Sequence, residues 1–212
     1  MSFGVAIPTY VKHLPLLEFL LENITISTVK PDRISVSCSS FHEEKTDEFE
    51  LNSVPVVVQY TMDELNPSQN RNRAASRLNT DLISFIDGDD LIHPKRIEYV
   101  KSVFSDHPEV EAIYHSYEPK KLSEKNDPFQ EIENPSLLLN ETTIDPIHLG
   151  IYVLGNHIQH AHVTLRKSVF DRFQFDENPS CKFLEDSLYA RQLVLNGVNV
   201  AYLANPLSRY VR

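Results

Sequence analysis

The run from Asp81 to Glu98, DLISFIDGDDLIHPKRIE, constrains the fold more than any other part of the chain. Leu82, Ile83, Phe85 and Ile86 form a short apolar block, which reads as a strand buried on both faces, as in a parallel sheet covered by helices. Asp87, Asp89 and Asp90 follow at once. In an open α/β sheet, ligands bind outside the carboxyl ends of the strands, so these acids stand where a site is expected. Crowded carboxylates repel one another, and a hard divalent cation with oxygen ligands is the usual means of making that crowding favourable.

A purely local reading accounts for the same residues. Asp-Gly is a common turn dipeptide, and Asp90 can cap a helix whose first turn holds Pro94. An EF-hand calcium loop is a third reading, because Asp87, Asp89 and Glu98 fall on positions 1, 3 and 12. It fails at Leu91 and Ile92, which take the places of a ligand and of the required glycine, and a strand rather than a helix precedes. The acids alone leave a metal-nucleotide site and turn chemistry both open.

Composition narrows the function classes. With 212 residues, 41% of them hydrophobic, the chain is long enough for one α/β domain with a substantial core. Its net charge of −10 argues against nucleic acid as a partner, since phosphate backbones are held by basic surface. An acidic protein that takes an anionic substrate needs a local cation to offset its own field. No apolar run is long enough to span a membrane, and MSFGVAIPTY lacks the basic start and apolar core of a signal peptide, so a soluble cytoplasmic protein is expected. Cys38 and Cys181 are too few for a disulfide framework or a zinc site.

Strands are expected at 3–7, 34–37, 54–60, 82–86, 110–114, 161–165 and 200–203. Helices are expected at 14–23, from Pro67 to about 79, at 94–104 and at 186–196, with shorter ones at 146–154 and 167–173. Gly197 is placed to stop the last long helix. This alternation means a mainly parallel, doubly wound sheet. Residues 118–140, punctuated by Pro119, Pro128 and Pro135, read as a surface loop, and SRYVR as a tail.

Absent motifs exclude common sites. Only five glycines occur, without G-x-G-x-x-G, a P-loop or G-x-S-x-G, so a bound nucleotide is held by something else. The segment 156–162, NHIQHAH, places His160 and His162 on one side if a strand runs through it, where either is a candidate for a metal or a sugar. The pair is not a complete zinc site, and off a strand these are ordinary polar residues.

The order VAIPTY, then PSQNRNRAASRLNTDLISFIDGDD, then FLEDSLYARQLVLNG resembles a family 2 glycosyltransferase of the GT-A fold, with its strand ending in P-T-Y, its A-R-N helix, its D-x-D strand end and its E-D helix. The resemblance implies a single GT-A domain with a mainly parallel, doubly wound mixed sheet flanked by helices. Residues 1–117 would bind the nucleotide-sugar, and 118–212 would bind the acceptor and carry the catalytic base.

It further implies that Pro8, Thr9 and Tyr10 cradle the nucleobase, with Tyr10 able to stack on it, and that Arg71 reaches the base or the diphosphate. Within D-G-D, Asp87 would touch the ribose and, across Gly88, join Asp89 in holding Mn2+ or Mg2+, with Asp90 in support. Many members carry an acid at the second strand end to hold uracil; here Ser37-Cys38-Ser39-Ser40 stands there, leaving Ser39 and backbone groups to meet the base. Asp186 matches the general base, with Glu185 its supporting neighbour; His160, which the resemblance does not assign, stays a candidate contact to the nucleotide-sugar. Local readings stand beside these: Tyr10 as a loop residue, Arg71 on a solvated helix face with Arg73 and Arg77, and Asp186 as an N-cap.

The implied activity is metal-dependent, inverting transfer from a nucleotide-sugar, first of all a UDP-sugar, to a hydroxyl of a glycan or glycoprotein. The alternatives are a sugar-phosphate nucleotidyltransferase, which normally needs a glycine- and arginine-rich loop that VAIPTYVKHLP lacks, and a non-catalytic nucleotide- or sugar-binding module.

Overall fold

A computed structural model describes residues 1–133, 135–138, 162–181 and 184–211. The expected helix at 146–154, and His160 with it, lie outside the described residues.

Phe3–Tyr10 (β1) is buried along all but its last residue. After a 3-10 turn, Leu14–Thr25 (α1) lays Leu17, Leu20, Leu21 and Ile24 against the sheet. Arg33–Ser39 (β2) pairs parallel with β1. Lys45–Leu51 (β3), which the sequence reading missed, is an edge strand that turns back through Asn52 and Ser53 into Val54–Tyr60 (β4). Both turn residues have positive φ, 50° and 65°, as a two-residue hairpin turn requires. An edge strand facing water on one side needs little apolar patterning, and KTDEFEL has little.

Pro67–Ser76 (α2) starts from a reciprocal cap: the Asn66 side chain accepts from the Gln69 amide at 2.9 Å, and the Gln69 side chain accepts from the Asn66 amide at 2.9 Å. It ends short of the expected 79. Leu82–Phe85 (β5) is buried throughout and pairs parallel with β1. Leu91–Ile92 (β6) is too short to show a period. Arg96–Asp106 (α3) has Lys95 at its N-cap, so Pro94 precedes the helix and Asp90 does not cap it.

Ala112–Lys120 (β7) runs into the segment expected to be loop, and Val200–Val211 (β10) absorbs the expected tail, the two pairing parallel along their length. Arg209, fully buried, is the reason. Its guanidinium donates to Glu118 and to the carbonyls of Lys125 at 2.7 Å and Asp127 at 2.6 Å, and lies 4.1 Å from the Phe129 ring centre. One buried cation thus organises a polar segment that carries no periodicity of its own.

Leu137–Leu138 (β8) pairs with β10; Val163–Arg166 (β9) enters antiparallel between β5 and β7. Lys167–Arg172 (α4) and Glu185–Leu195 (α5) follow, and Gly197 adopts φ 73° just past α5, as expected of a helix stop. The strands make one mixed sheet in the order β3-β4-β2-β1-β5-β9-β7-β10-β6, with β8 beside β10. Core residues of α1 and α3 cover one face, and those of α2, α4 and α5 the other. The fold is thus a single domain, a mixed sheet with helices on both faces, the architecture that the resemblance implies. No described helix is long and apolar enough to cross a membrane.

Candidate active site

A cavity of about 400 Å³ opens at the carboxyl ends of β5, β1 and β2. The strand order sets neighbours at the rim: Asp87 and Asp89 past β5, Pro8, Thr9 and Tyr10 at the end of β1, and Ser39 and Ser40 at β2. Helix α2 contributes Asn70 and Arg71, and α5 contributes Glu185 and Asp186.

Arg71 holds the centre. Its side chain is only 3% exposed, so the solvated-face reading is wrong. Nη2 donates to both carboxylate oxygens of Asp87, at 3.0 and 3.1 Å. Nη1 donates to Glu185 Oε1 at 2.9 Å and lies 3.0 Å from Asp186 Oδ1. These terminal nitrogens are committed to three carboxylates and are not left open to a base or a diphosphate. Burial opposes the guanidinium charge, but Asp186, Asp87 and Glu185 outweigh it and raise the pKa above that of ordinary arginine. The Phe175 ring centre lies 5.4 Å from the guanidinium, and Tyr189 stacks on Phe175 at 3.9 Å.

Asp186 sits in the first turn of α5, whose N-cap is Leu184 without a side-chain bond, so it is not the cap. Burial is the largest influence on its carboxyl; Arg71 pulls the pKa down, Asp87 and Glu185 push it up, and it stands at about 7. A carboxylate of that affinity, facing a cavity, can accept a proton near neutral pH.

Asp89 is raised by burial and by the charge of Asp87, with His13 acting against them. His13 Nδ1 lies 3.4 Å from Asp89 Oδ2, and the His13 ring stands 4.1 Å from that of Tyr10. Gly88 is the close-approach point of the turn: its N–H donates to the Pro8 carbonyl at 3.1 Å, and a Cβ there would lie 2.6 Å from Thr9 Oγ1. Asp90 turns inward, 1% exposed. It accepts from the Val211 amide at 3.2 Å and lies 3.4 Å from His162 Nε2, which anchors the carboxylate turn to β10 and to the residue before β9. Burial first, then Asp87 and Asp89, raises its pKa well above the ordinary value.

Sequence reasoning missed several lining residues, among them His13, Glu64, Asn70 and Tyr210. Asn70 ties the strand ends together: its amide donates to the Thr9 carbonyl at 3.3 Å and to Ser39 Oγ at 2.9 Å, and accepts from Ser37 Oγ at 2.8 Å. Its signal was present, since a helix as polar as PSQNRNRAAS buries polar residues only for specific bonds. Asn72 clamps the chain before α5 through both backbone groups of Phe175.

Among the described residues, no group of three or more His, Cys, Asp or Glu is arranged to hold a metal by itself. The acids nonetheless suit a hard cation shared with a ligand. Asp87 and Asp89 raise the local negative charge, and Asp89, whose oxygens are not tied to Arg71, is the freer of the two.

Comparison with known proteins bears on the family and the fold. The model of "Glycosyl transferase family 2" matches residues 5–170. S. aureus TarS 1-349, solved in complex with UDP, superposes with a TM-score of 0.70 at 15% identity over 100% of this chain and 61% of that one. Its complex with UDP-GlcNAc gives 0.70 at 14% identity, over 100% and 59%. The mannosyltransferase PcManGT from Pyrobaculum calidifontis, in complex with GDP-Man and Mn2+, gives 0.61 at 14% identity, over 100% and 56%. The chain therefore spans about three fifths of the length of these structures. A search of curated protein sequences finds no match. With a family model covering most of its length and a GT-A sheet whose strand ends converge on one acidic cavity, the chain belongs to glycosyl transferase family 2.

Proposed function

We propose that this glycosyltransferase moves a sugar, with inversion, from a UDP-sugar to a hydroxyl group of a glycan or glycoprotein, in the cytoplasm and with the help of Mn2+ or Mg2+. One observation carries the reading: a buried carboxyl with a pKa of about 7, Asp186, faces the same cavity as the Asp87-Asp89 pair and is joined to it through Arg71. The neighbours solved with UDP, UDP-GlcNAc and GDP-Man support a nucleotide-sugar donor, and the one solved with Mn2+ supports a metal.

In this reading residues 1–117 hold the donor and 118–212 supply the base and the acceptor surface. Asp89, with Asp87, would hold the ion, which when bound neutralises charge on the departing diphosphate. Asp186 takes the proton of the acceptor hydroxyl as its oxygen attacks the anomeric carbon. The new carbon–oxygen bond forms on the face opposite the breaking one, and the nucleoside diphosphate departs with the bonding electron pair. Glu185 shares Arg71 with Asp186 and so fixes the position of the base. Pro8, Thr9, Tyr10 and Ser39 hold the nucleoside, with Gly88 allowing the acidic turn to approach β1.

Release of UDP from UDP-sugars, measured with and without Mn2+ and with a panel of glycan acceptors, tests this. Metal-dependent release is expected. A requirement for sugar 1-phosphate and nucleoside triphosphate would mark a nucleotidyltransferase instead, and nucleotide binding without any turnover a binding module.

A further inference from the structure

We infer that Glu64 is the residue that selects the nucleobase, favouring bases that present a ring N–H; this rests on the donor reading above. The cavity runs across the sheet in strand order, from the acids past β5, over β1 and β2, to the loop between β4 and α2 that carries Glu64 and Leu65. Three strand spacings separate β5 from β4, about 14 Å at the usual distance between strands. That is the order of length of a nucleoside diphosphate. With the diphosphate at Asp87 and Asp89, the base falls beside Ser39, Ser40 and Glu64.

Glu64 differs from the other acids of this cavity. Asp87, Glu185 and Asp186 are held by Arg71, and Asp89 stands beside His13. Glu64, among the described residues, has no hydrogen bond or ion pair, yet it lines the cavity. Its loop is fixed to the end of β2, because the Ser40 amide donates to the Asp63 carbonyl at 2.9 Å and the Phe41 amide to the Thr61 carbonyl at 2.8 Å. Ser40 adopts φ 56° at this junction. A free carboxylate on an anchored loop is acceptor-only. It rewards uracil, with N3–H, and guanine, with N1–H and a neighbouring amino group. It repels the lone pair that cytosine and adenine carry at the same ring position.

Calorimetric titration of UDP, GDP, CDP and ADP with Mn2+ into the wild type, Glu64→Ala and Glu64→Gln tests the assignment. The wild type is expected to bind UDP about 10-fold or more tighter than CDP, the scale of one hydrogen bond to a charged group. Glu64→Ala should reduce that ratio to within about 3-fold, mainly by weakening UDP, and Glu64→Gln, which offers both an acceptor and a donor, should improve CDP. If the UDP to CDP ratio survives in Glu64→Ala, with an unchanged thermal midpoint, Glu64 does not read the base while the donor reading stands. If no nucleoside diphosphate binds the wild type, both fall.

Discussion

Nη1 of Arg71 stands 3.0 Å from Oδ1 of Asp186, and the other end of the same guanidinium grips Asp87 through both carboxylate oxygens. The candidate base and the strand-end acid are thus two arms of one buried cation. Whatever repositions Asp87 moves the charge that Asp186 senses.

Arg71 should be indispensable for that reason. Arg71→Met leaves three largely buried carboxylates without their counter-ion, and loss of one partner of a buried ion pair costs about 3–5 kcal/mol. Urea denaturation should register that loss. Arg71→Lys keeps the charge but, as a point cation, cannot span Asp87 and the Glu185-Asp186 pair together. We expect it to fold and to lose about 100-fold in kcat, the scale of a misplaced catalytic group. Wild-type turnover in Arg71→Lys would mean that the fork geometry does not matter.

The pH dependence follows from Asp186. A base must be deprotonated to accept a proton, so with a pKa of about 7 the rate should rise with pH below that value and level off above it. Stability should move the other way. An unfolded aspartate titrates near about 4. Between that pH and about 7 the folded carboxyl retains a proton that the unfolded chain has lost, so stability falls as pH rises through this window. Asp186→Asn should abolish the rate while leaving UDP binding intact, and should flatten the stability profile. A pH-independent rate in the wild type would place the base elsewhere.

The buried strand Leu82–Phe85 and the acids after it were legible because a doubly covered strand is almost wholly apolar and the charged residues just past it stand out. The alternation of strands and helices gave the sheet on the same grounds. Three features were hidden for physical reasons. An edge strand such as β3 needs little apolar character, so KTDEFEL did not register. The continuation of β7 and β10 is held by Arg209 meeting Glu118 and three backbone carbonyls, a long-range arrangement that no local pattern announces. The direction of Arg71 was also invisible, since the same helix carries Arg73 and is capped by Arg77, and only the sheet decides which arginine lies beneath the cavity. The residue types of the site were readable; which of them spend their charges on one another was not.

Gly88 gives a steric test of the acidic turn. Its missing Cβ lets the turn sit against β1, and an added methyl carbon would lie 2.6 Å from Thr9 Oγ1, 2.7 Å from Thr9 Cβ and 3.2 Å from the Pro8 carbonyl. Thr9 is buried and cannot swing away freely. Gly88→Ala should therefore destabilise the fold by about 1–3 kcal/mol, as overpacking does, and weaken UDP binding by displacing Asp87 and Asp89 together. A crystal structure of the variant with the turn unmoved, or calorimetry showing unchanged UDP affinity, would count against a tight packing requirement here.

Asp89 separates metal-assisted donor binding from simple charge attraction. An acidic cavity should repel a diphosphate, since Asp87, Asp89, Glu185 and Asp186 outnumber the buried Arg71. Without a divalent cation UDP should therefore bind weakly, and adding Mn2+ should raise the thermal midpoint in proportion to the logarithm of ligand concentration. Asp89→Ala removes the carboxylate that Arg71 does not hold. In that variant the Mn2+-dependent part of the UDP-induced shift should vanish, while the metal-free midpoint of the protein stays the same or rises, because a half-buried carboxylate whose charge is disfavoured in the fold by burial and by Asp87 no longer has to be carried into the site. An unchanged Mn2+-dependent shift in Asp89→Ala would move the ion, and the diphosphate with it, away from the end of β5.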